Sequence, residues 1–204
     1  MTVATDRVAI LDFVRHGQTD YNKIQRIQGH LPIPLSELGV QQVTNLAETL
    51  KTTRYNLCYN STFRRAEQSA EIIEGIFAKS DIQLKRVADA RIRERERGAF
   101  SGKLETEFDA APEADRLRET ETDEALADRV FDFIHEKGPH HAGEQVLVVS
   151  HERVISRIIL KLNPEKRFKK ILVENTAVLR LAYTQGQASI LSMKGITIET
   201  QNSG

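Results

Sequence analysis

The chain has 204 residues, of which 40% are hydrophobic and 28% charged, and its 29 basic residues balance its 29 acidic ones. This length and composition predict one globular domain, residues 1–204. The balanced charge argues against nucleic-acid binding, and every apolar run is far shorter than the roughly 20 residues of a membrane span. The single cysteine, Cys58, excludes an intrachain disulfide, and the N-terminus shows no secretion signal. We therefore expect a cytoplasmic protein that binds neither nucleic acid nor membranes.

Strand and helix patterns alternate along the chain. In order, strands are predicted over 8–14, 55–59, 145–150, 177–183 and 188–193, and helices over 40–50, 63–77, 126–134 and 154–162. Ser36 is a suitable N-cap for the first helix, and Pro164 helps to end the last one. Residues 91–122 are highly charged and weakly periodic, so we interpret them as a loop with a short helix that caps a site. The tail after Gly195 is polar and is expected to fray.

This alternation predicts an α/β fold, a three-layer α/β/α sandwich with a mostly parallel central sheet. In such sheets ligands bind beyond the C-terminal ends of the strands. The strongly apolar strands 8–14 and 145–150 each lead to a histidine, His16 and His151. If these strands are parallel neighbours, both imidazoles face one pocket.

The residues around His16 suit phosphate chemistry. Gly17 lets the backbone turn and approach a ligand closely, and Arg15 offers a donor fork for phosphate oxygens. A neutral imidazole at His16 can attack phosphorus. Because Arg-His-Gly also arises by chance, its partners decide the matter.

Two further segments could supply those partners. Arg65 stands at a predicted helix start, where it could add a second guanidinium, although a solvated surface arginine is the plainer interpretation of that segment alone. Residues 93–102 alternate basic and acidic side chains, usually an exposed face, but two glycines make a shaped loop more plausible. A carboxyl there could protonate a leaving oxygen.

Together these segments resemble the histidine phosphatase superfamily, the phosphoglycerate mutase-like enzymes. The match spans the chain in the family's order, and no single piece of it is as specific as the combination. The matching residues are Arg15-His16-Gly17, Asn22, Gln28-Gly29, Pro34-Leu35-Ser36, Gly39, Ser61, Arg65-Ala66, Gln68, Glu94, Gly98, Gly102, Val149-Ser150-His151 and Asn175-Thr176.

The resemblance implies a metal-independent mechanism without a cofactor. His16 would attack the phosphoryl group and become phosphohistidine, and Glu94 would protonate the departing hydroxyl and then assist water. The phosphoryl oxygens would be held by Arg15, Arg65, His151 and Asn22. The other implied substrate-binding residues are Gly17, Gln28, Gly29, Arg97 and Glu152.

Several positions depart from the family pattern. Pro32 stands where many members have Asp, and Glu152 follows His151 where glycine is usual. A carboxylate at 152 could repel highly charged substrates or select a cationic group. Arg97 replaces the aromatic residue of the mutases, and Glu96 competes with Glu94 for the role of the acid. Glu121-Thr122 only loosely resembles a Gly-Glu-Ser element of the family.

The chain lacks the long insertions of cofactor-dependent phosphoglycerate mutases, which favours a phosphatase acting on a small phosphorylated metabolite. The Arg-Glu-Arg run and Gly102-Lys103 resemble the fructose-2,6-bisphosphatase and TIGAR-like branch, so a sugar phosphate such as fructose 2,6-bisphosphate is one candidate. A phosphoglycerate mutase and a catalytically silent phosphate-binding scaffold remain as alternatives. A homodimer is left open.

Other chemistries are weaker. Cys58 and Arg64 have the C-x5-R spacing of cysteine phosphatases, but the intervening residues contain no glycine, so Cys58 is interpreted as a buried strand residue. His135 is expected on a helix face, His140-His141 in a surface loop and His30 near the pocket mouth. The basic run from Lys166 to Lys170 is expected to be a solvated face.

Overall fold

A computed structural model describes residues 7–165 and 167–200, so the chain ends and Lys166 lie outside the described part. The strands are β1 (Ala9–Arg15), β2 (Tyr55–Asn60), β3 (Lys85–Ala88), β4 (Gln145–Ser150), β5 (Phe168–Thr184) and β6 (Gln187–Thr200). The helices are α1 (Asp20–Lys23), α2 (Glu37–Leu50), α3 (Arg64–Ala78), α4 (Glu105–Ala110), α5 (Glu113–Glu119), α6 (Asp123–His140) and α7 (Glu152–Lys161). None of these helices is both long and apolar enough to cross a membrane.

The six strands form one mixed sheet in the order β3-β2-β4-β1-β5-β6. Strands β1 to β4 are parallel to one another. β5 is antiparallel to β1, and β6 is antiparallel to β5. Val14 of β1 pairs with Val149 of β4, and Arg15 pairs with Ser150, so the two strands end at the same level. This register brings the residues that follow them, His16 and His151, to one edge of the sheet.

Helices cover both faces of the sheet, which confirms the predicted α/β sandwich. The side chains of Leu11 and Phe13 join a core with α6 and α7, while Val14 joins a second core with α2 and α3. Ser36 caps α2 as predicted, because its side chain accepts a hydrogen bond from the Gly39 amide. Cys58 is fully buried in the second core, and burial raises the pKa of its thiol to about 12. A thiolate nucleophile at this position is thereby disfavoured.

The sequence interpretation was wrong at the C-terminal end. Residues 196–200 are not frayed but continue β6, with Ile196 opposite Val173 and Ile198 opposite Ile171. The alternation of isoleucine and threonine in this segment is the period-two pattern of a strand, which the polar composition obscured. Residues 201–204 of the tail lie outside the described part.

Two other strand segments were not predicted. β3 (Lys85–Ala88) has no apolar run, because it is a short edge strand with partly exposed side chains. The first part of β5, from Phe168, carries Lys169 and Lys170, whose solvated character matches the expected basic face. His140 and His141 lie at the end of α6 rather than in a free loop, and the His141 ring is 3.0 Å from the Tyr59 hydroxyl.

Candidate active site

His16 lies in the first residues beyond β1, and its backbone is fixed by the neighbouring strand. Its amide donates to the Ser150 carbonyl at 3.0 Å, and its ring centroid is 5.2 Å from that of His151. Gly17 follows because the turn passes directly over α2: an added Cβ would lie 2.5 Å from the Gly39 carbonyl oxygen. The structure therefore places the two predicted histidines side by side.

The contacts of His16 define its tautomer. Nδ1 lies 2.7 Å from the Gly17 carbonyl, which can only accept, so Nδ1 carries the proton and Nε2 holds the lone pair. Burial lowers the pKa of His16 well below its ordinary value, and the guanidinium groups of Arg65 and Arg15 lower it further. A neutral imidazole with its lone pair on Nε2 is the form that a phosphoryl acceptor requires.

Arg65 occupies the first turn of α3 and is almost completely buried. Its Nε donates to Nε2 of His16 at 3.2 Å, while Nη2 and Nη1 donate to the carbonyls of Gly29 and Leu31 at 3.0 and 3.3 Å. Burial lowers the pKa of Arg65 to about 10, so the group stays charged at neutral pH. The loop around Gly29 thus fixes the orientation of the guanidinium.

Arg15 is held by an irregularity in β5. The register between β5 and β6 shifts between Val173 and Val178, and the Val173 carbonyl accepts a 2.5 Å hydrogen bond from Arg15 Nη1. In the same bulge, Asn175 Nδ2 donates to the His16 carbonyl at 3.1 Å, and Thr176 has a left-handed φ of 62°. The bulge therefore positions both Arg15 and the nucleophile loop, as bulges near sites commonly do.

The second histidine, His151, is held by contacts with Ser61 and Phe63. Its Nε2 lies 2.8 Å from the Ser61 hydroxyl, and its ring packs edge-on against Phe63. Burial lowers the pKa of His151 well below its ordinary value, with a further contribution from Arg65. Its Nδ1 is buried and has no hydrogen-bond partner within the described chain.

Glu94 and Glu96, the two candidates for the acid, occupy different environments. Glu94 lines the cavity described below, and its carboxylate accepts from the amides of Arg95 at 2.8 Å and Arg153 at 3.5 Å. Glu96 instead accepts from the amides of Arg97 and Gly98, both at 2.9 Å, and its carboxylate contacts the His30 ring. The geometry favours Glu94 as the residue that can reach a ligand.

Arg129 of α6 fixes the segment that carries Glu94. Its Nη1 donates to the carbonyls of Arg91 and Arg93 at 2.6 and 2.8 Å, and its Nη2 donates to the Glu94 carbonyl at 3.2 Å. The remaining donors engage the Glu121 carboxylate at 2.6 and 2.8 Å. Arg129 was not predicted from the sequence, because an arginine on an amphipathic helix is usually exposed to solvent. Glu121 was noted only for a loose resemblance to a family element.

These groups surround one cavity of about 80 Å³, which we call the histidine cavity. Nine predicted site residues line it, namely Arg15, His16, Asn22, Gln28, Gly29, Arg65, Glu94, Arg97 and Glu152. Four further lining residues were not predicted: Arg26, Ile27, Glu105 and Arg153. The 91–122 segment contributes three of these thirteen residues, which is the placement expected of a cap.

Two predicted residues lie beside the cavity rather than in its lining. Gly17 was predicted to bind substrate, but its amide donates to the Ser69 hydroxyl at 3.2 Å, so its close packing on α2 explains the glycine. His151 lies behind His16 with its ring fully buried. Pro32, noted above as a departure from the family pattern, is likewise not a lining residue.

Glu152, the departure noted beside His151, is a lining residue. Burial raises the pKa of its carboxyl, whereas Arg153 opposes that rise and Glu94 reinforces it. The Arg153 Nε lies 3.3 Å from the Glu152 carboxylate. Counting every lining arginine and glutamate as ionised gives the cavity a formal charge of +2.

Several buried polar atoms at the cavity have no hydrogen-bond partner in the described residues. They are Arg15 Nε, Gln28 Oε1, Arg97 Nη1 and Arg153 Nε, the last of which contacts the Glu152 carboxylate without hydrogen-bond geometry. An unpaired buried donor or acceptor costs roughly 1–3 kcal/mol and is rare in native proteins. The arginine nitrogens among them are donors, for which an anion in this positively charged cavity would supply acceptors, whereas the Gln28 amide oxygen needs a donor from a ligand. Elsewhere among the described residues, no group of three or more His, Cys, Asp or Glu side chains is arranged to hold a metal ion.

The fold and this geometry together define a histidine-based phosphoryl-transfer site. The family model of the histidine phosphatase superfamily (branch 1) matches residues 11–195, and the chain belongs to this family.

Relatives of known name extend the comparison. The chain is 32% identical over 182 residues to phosphoglycerate mutase-like protein 4 of Arabidopsis thaliana, which covers 82% of this chain and 77% of the relative. It is 29% identical to the metal-independent phosphoserine phosphatase of the same plant, over 82% and 74% of the two chains. The crystal structure of phosphoglycerate mutase from Bacillus anthracis superposes with a TM-score of 0.78 at 26% identity, over 93% and 94% of the two chains. The relatives of this chain thus include phosphatases and mutases that act on phosphorylated metabolites.

Proposed function

We propose that this protein is a phosphatase that hydrolyses a small phosphomonoester through a phosphohistidine intermediate at His16. The observation that carries the proposal is the neutral His16 imidazole, whose Nε2 lone pair lies at the cavity between two buried guanidinium groups. The unpartnered Nε of Arg15 supplies an additional hydrogen-bond donor for a phosphate.

In the first step, Nε2 of His16 attacks phosphorus, the bond between phosphorus and the ester oxygen breaks, and the ester oxygen leaves on the opposite side. Arg15 and Arg65 hold the equatorial oxygens, whose charge they offset. The Arg65 Nε–H that now points at Nε2 has to move to a phosphoryl oxygen, which frees the lone pair. Glu94, protonated at this stage, gives its proton to the leaving oxygen.

In the second step, water attacks the phosphohistidine and the phosphorus–nitrogen bond breaks. The Glu94 carboxylate takes a proton from this water, which returns the carboxyl to its starting state. Inorganic phosphate is released, and Nε2 regains its lone pair. His151, held by Ser61, packs against the His16 ring from behind the cavity.

The substrate is small. The histidine cavity has about 80 Å³, far below the roughly 300–1,000 Å³ of sites for drug-sized ligands. This size favours a phosphorylated compound of three or four carbons over a bisphosphorylated hexose such as fructose 2,6-bisphosphate. The relatives named as a phosphoserine phosphatase and as mutase-like proteins are consistent with substrates of that size.

The proposal is tested by trapping the labelled phosphoenzyme and asking whether its phosphate is acid-labile, as in phosphohistidine, or acid-stable. Incubation with ³²P-labelled phosphoserine and 3-phosphoglycerate, followed by a rapid quench, is expected to give acid-labile label on the wild type and none on His16→Ala. Release of inorganic phosphate is measured in parallel. Conversion of 3-phosphoglycerate to its 2-isomer with little hydrolysis would instead establish a mutase, and absence of both label and product would establish a silent scaffold.

A further inference from the structure

His30 lies in the loop between α1 and α2, directly between two residues that hold Arg65. The carbonyls of these neighbours, Gly29 and Leu31, accept hydrogen bonds from the Arg65 guanidinium at 3.0 and 3.3 Å. Gly29 has a left-handed φ of 47°, and an added Cβ there would clash with the Ser101 hydroxyl. The backbone around His30 is therefore tied to the guanidinium that contacts the nucleophile.

The side chain of His30 contacts the segment that carries Glu94. Its Nε2 lies 3.3 Å from the Glu94 carbonyl oxygen, and its Nδ1 contacts the Glu96 carboxylate. Burial lowers the pKa of His30 and outweighs the opposing effect of Glu96, which favours the neutral ring. A neutral ring has one N–H, and the closer acceptor is Glu96, so Nδ1 donates to that carboxylate. Glu96→Gln would keep an oxygen for this N–H, so the contact does not require the negative charge.

Aromatic contacts restrict the His30 ring. Its centroid lies 4.6 Å from that of Phe63, the N-cap residue of α3. Phe63 in turn packs edge-on against His151, and its ring centre lies 5.2 Å from the guanidinium carbon of Arg65. The His30 side chain keeps 32% of its accessible surface, so the ring is held in place without belonging to the core.

The Glu94 segment is thus held from two sides. Arg129 of α6 donates to the Glu94 carbonyl at 3.2 Å, and His30 contacts the same carbonyl from the loop between α1 and α2. The Glu94 carboxylate accepts from the Arg95 amide at 2.8 Å, so its position follows that of this backbone. Of the two, only His30 also belongs to the loop that holds Arg65.

We infer that His30 is a positioning residue that holds Glu94 at a fixed place relative to Arg65. Its flanking carbonyls fix the guanidinium that binds the phosphoryl group, and its ring fixes the segment of the acid that protonates the leaving oxygen. A displacement of about 1 Å in a reacting group can cost about 10²-fold in rate, so such a link affects turnover without touching the substrate. The inference rests on the proposed function and adds a residue that does not line the histidine cavity.

The first test does not depend on turnover. Because the Arg95 amide donates to the Glu94 carboxylate, its hydrogen exchange reports whether that carboxylate keeps its place. We expect His30→Ala to raise the exchange rate at Arg95 by about tenfold or more without changing the urea midpoint. His30→Asn, whose amide places an N–H where Nδ1 stands, should keep the rate within about threefold of the wild type.

His141 provides the matched control. Its ring is also half-buried, with Nδ1 2.8 Å from the Glu144 carboxylate and Nε2 3.0 Å from the Tyr59 hydroxyl, but it does not line the cavity. His141→Ala therefore removes an imidazole with similar contacts. It should change neither the exchange at Arg95 nor turnover.

The second test varies the leaving group. Alanine at position 30 leaves the carbonyls of residues 29 and 31 in place, so the loss should fall on proton transfer. His30→Ala should lower kcat for 3-phosphoglycerate or phosphoserine by about tenfold or more, but lower it by less than about threefold for p-nitrophenyl phosphate, whose phenolate leaves without a proton.

Two results would overturn the inference: equal losses on both kinds of substrate, or exchange at Arg95 that stays at the wild-type rate in His30→Ala. Failure of the proposed function is distinguished by the wild type. If the wild type formed no acid-labile phosphoenzyme, the phosphatase would be refuted, and the exchange at Arg95 would still decide whether His30 fixes Glu94.

Discussion

The Arg65 Nε–H group donates a 3.2 Å hydrogen bond to Nε2 of His16, the atom that the tautomer leaves as a lone pair. The same guanidinium is anchored by the carbonyls of Gly29 and Leu31. The Arg65 guanidinium therefore occupies the lone pair with which His16 would attack phosphorus. A phosphoryl oxygen that takes over this donor uncovers the lone pair at the moment when phosphorus is within reach, which couples binding to activation.

Replacing Arg65 tests this coupling. Arg65→Lys keeps the charge but loses the fork that reaches His16 and two carbonyls at once, so we expect kcat/KM to fall by about 10²–10³-fold. Arg64→Lys is the matched control, because Arg64 is exposed and pairs only with Glu67 and Glu71 on α3. Steady-state phosphate release measures both. A loss below tenfold for Arg65→Lys would mean that charge alone suffices.

The roles of Glu94 and Glu96 can be distinguished by varying the leaving group of the substrate. Glu94→Gln should reduce hydrolysis of alkyl phosphates by about 10²–10⁴-fold, the usual contribution of a general acid. The loss should be much smaller for p-nitrophenyl phosphate, whose phenolate leaves without a proton. Glu96→Gln should change neither rate greatly, because Glu96 does not line the cavity. An equal loss on both substrates for Glu94→Gln would exclude its role as the acid.

Arg129 acts through Glu94 as a positioning residue. Its five hydrogen bonds to three carbonyls and the Glu121 carboxylate cannot be reproduced by an ammonium group. Arg129→Lys is therefore expected to reproduce the pattern of Glu94→Gln, with at least a tenfold loss on alkyl phosphates and a smaller one on p-nitrophenyl phosphate. Arg86→Lys, at an ion pair with Glu74 outside the cavity, is the control. A uniform loss on both substrates would indicate only general destabilisation.

The two buried histidines predict a pH-dependent stability. Burial lowers the pKa of His16 and of His151 in the folded protein below 6.5. The unfolded chain therefore binds more protons as pH falls below about 6.5, and the free energy of unfolding decreases, by up to about 1.4 kcal/mol per pH unit for each histidine. Urea unfolding between pH 7 and about 5, above the main carboxylate range, measures the slope.

Substituting single histidines shows how much each one contributes to this pH dependence of stability. His151→Gln is expected to remove one histidine's share, whereas His140→Gln, at an exposed position at the end of α6, should leave the slope unchanged. A stability that is flat between pH 6.5 and about 5 would contradict the burial of neutral imidazoles.

The position of His16 at the end of its strand was predictable because two independent signals coincided there. Val8 to Val14 is an apolar run of strand composition, and the residues after it combine a turn glycine with a histidine and an arginine. The structure then pairs β1 and β4 as parallel neighbours that end at the same level, so His16 and His151 meet. The apolar pattern of the strand and the residue types that follow it thus indicated the same position for the site.

The rest of the cavity lacked such a signal. Arg26, Glu105 and Arg153 are isolated charged residues on loops or helix starts, and their sequence neighbourhoods are indistinguishable from a solvated surface. Arg153 offered the best clue, since it stands in the first turn of a helix that follows a strand end at the ligand edge of the sheet. Asn175-Thr176 matched the family, but the bulge in β5 that contains them was not predicted, because it depends on the pairing with β6.

The contact between the nucleophile loop and α2 makes a final prediction. In Gly17→Ala the new Cβ would lie 2.5 Å from the Gly39 carbonyl oxygen and 2.8 Å from Val43 Cγ2, and backbone cannot easily retreat. We expect a loss of about 1–3 kcal/mol in the free energy of unfolding, together with reduced turnover because His16 moves with the loop.

Gly75→Ala is the matched control for that substitution. Gly75 lies inside α3, and an added Cβ would have no heavy atom within 4 Å. Relief of the glycine penalty in a helix should therefore raise the free energy of unfolding by about 0.5–1 kcal/mol and leave turnover unchanged. Urea midpoints and phosphate release, measured on both proteins, give opposite signs if the packing is as described. A Gly17→Ala protein as stable and active as the wild type would show that the loop can withdraw from α2, and the close approach would then not explain the glycine beside His16.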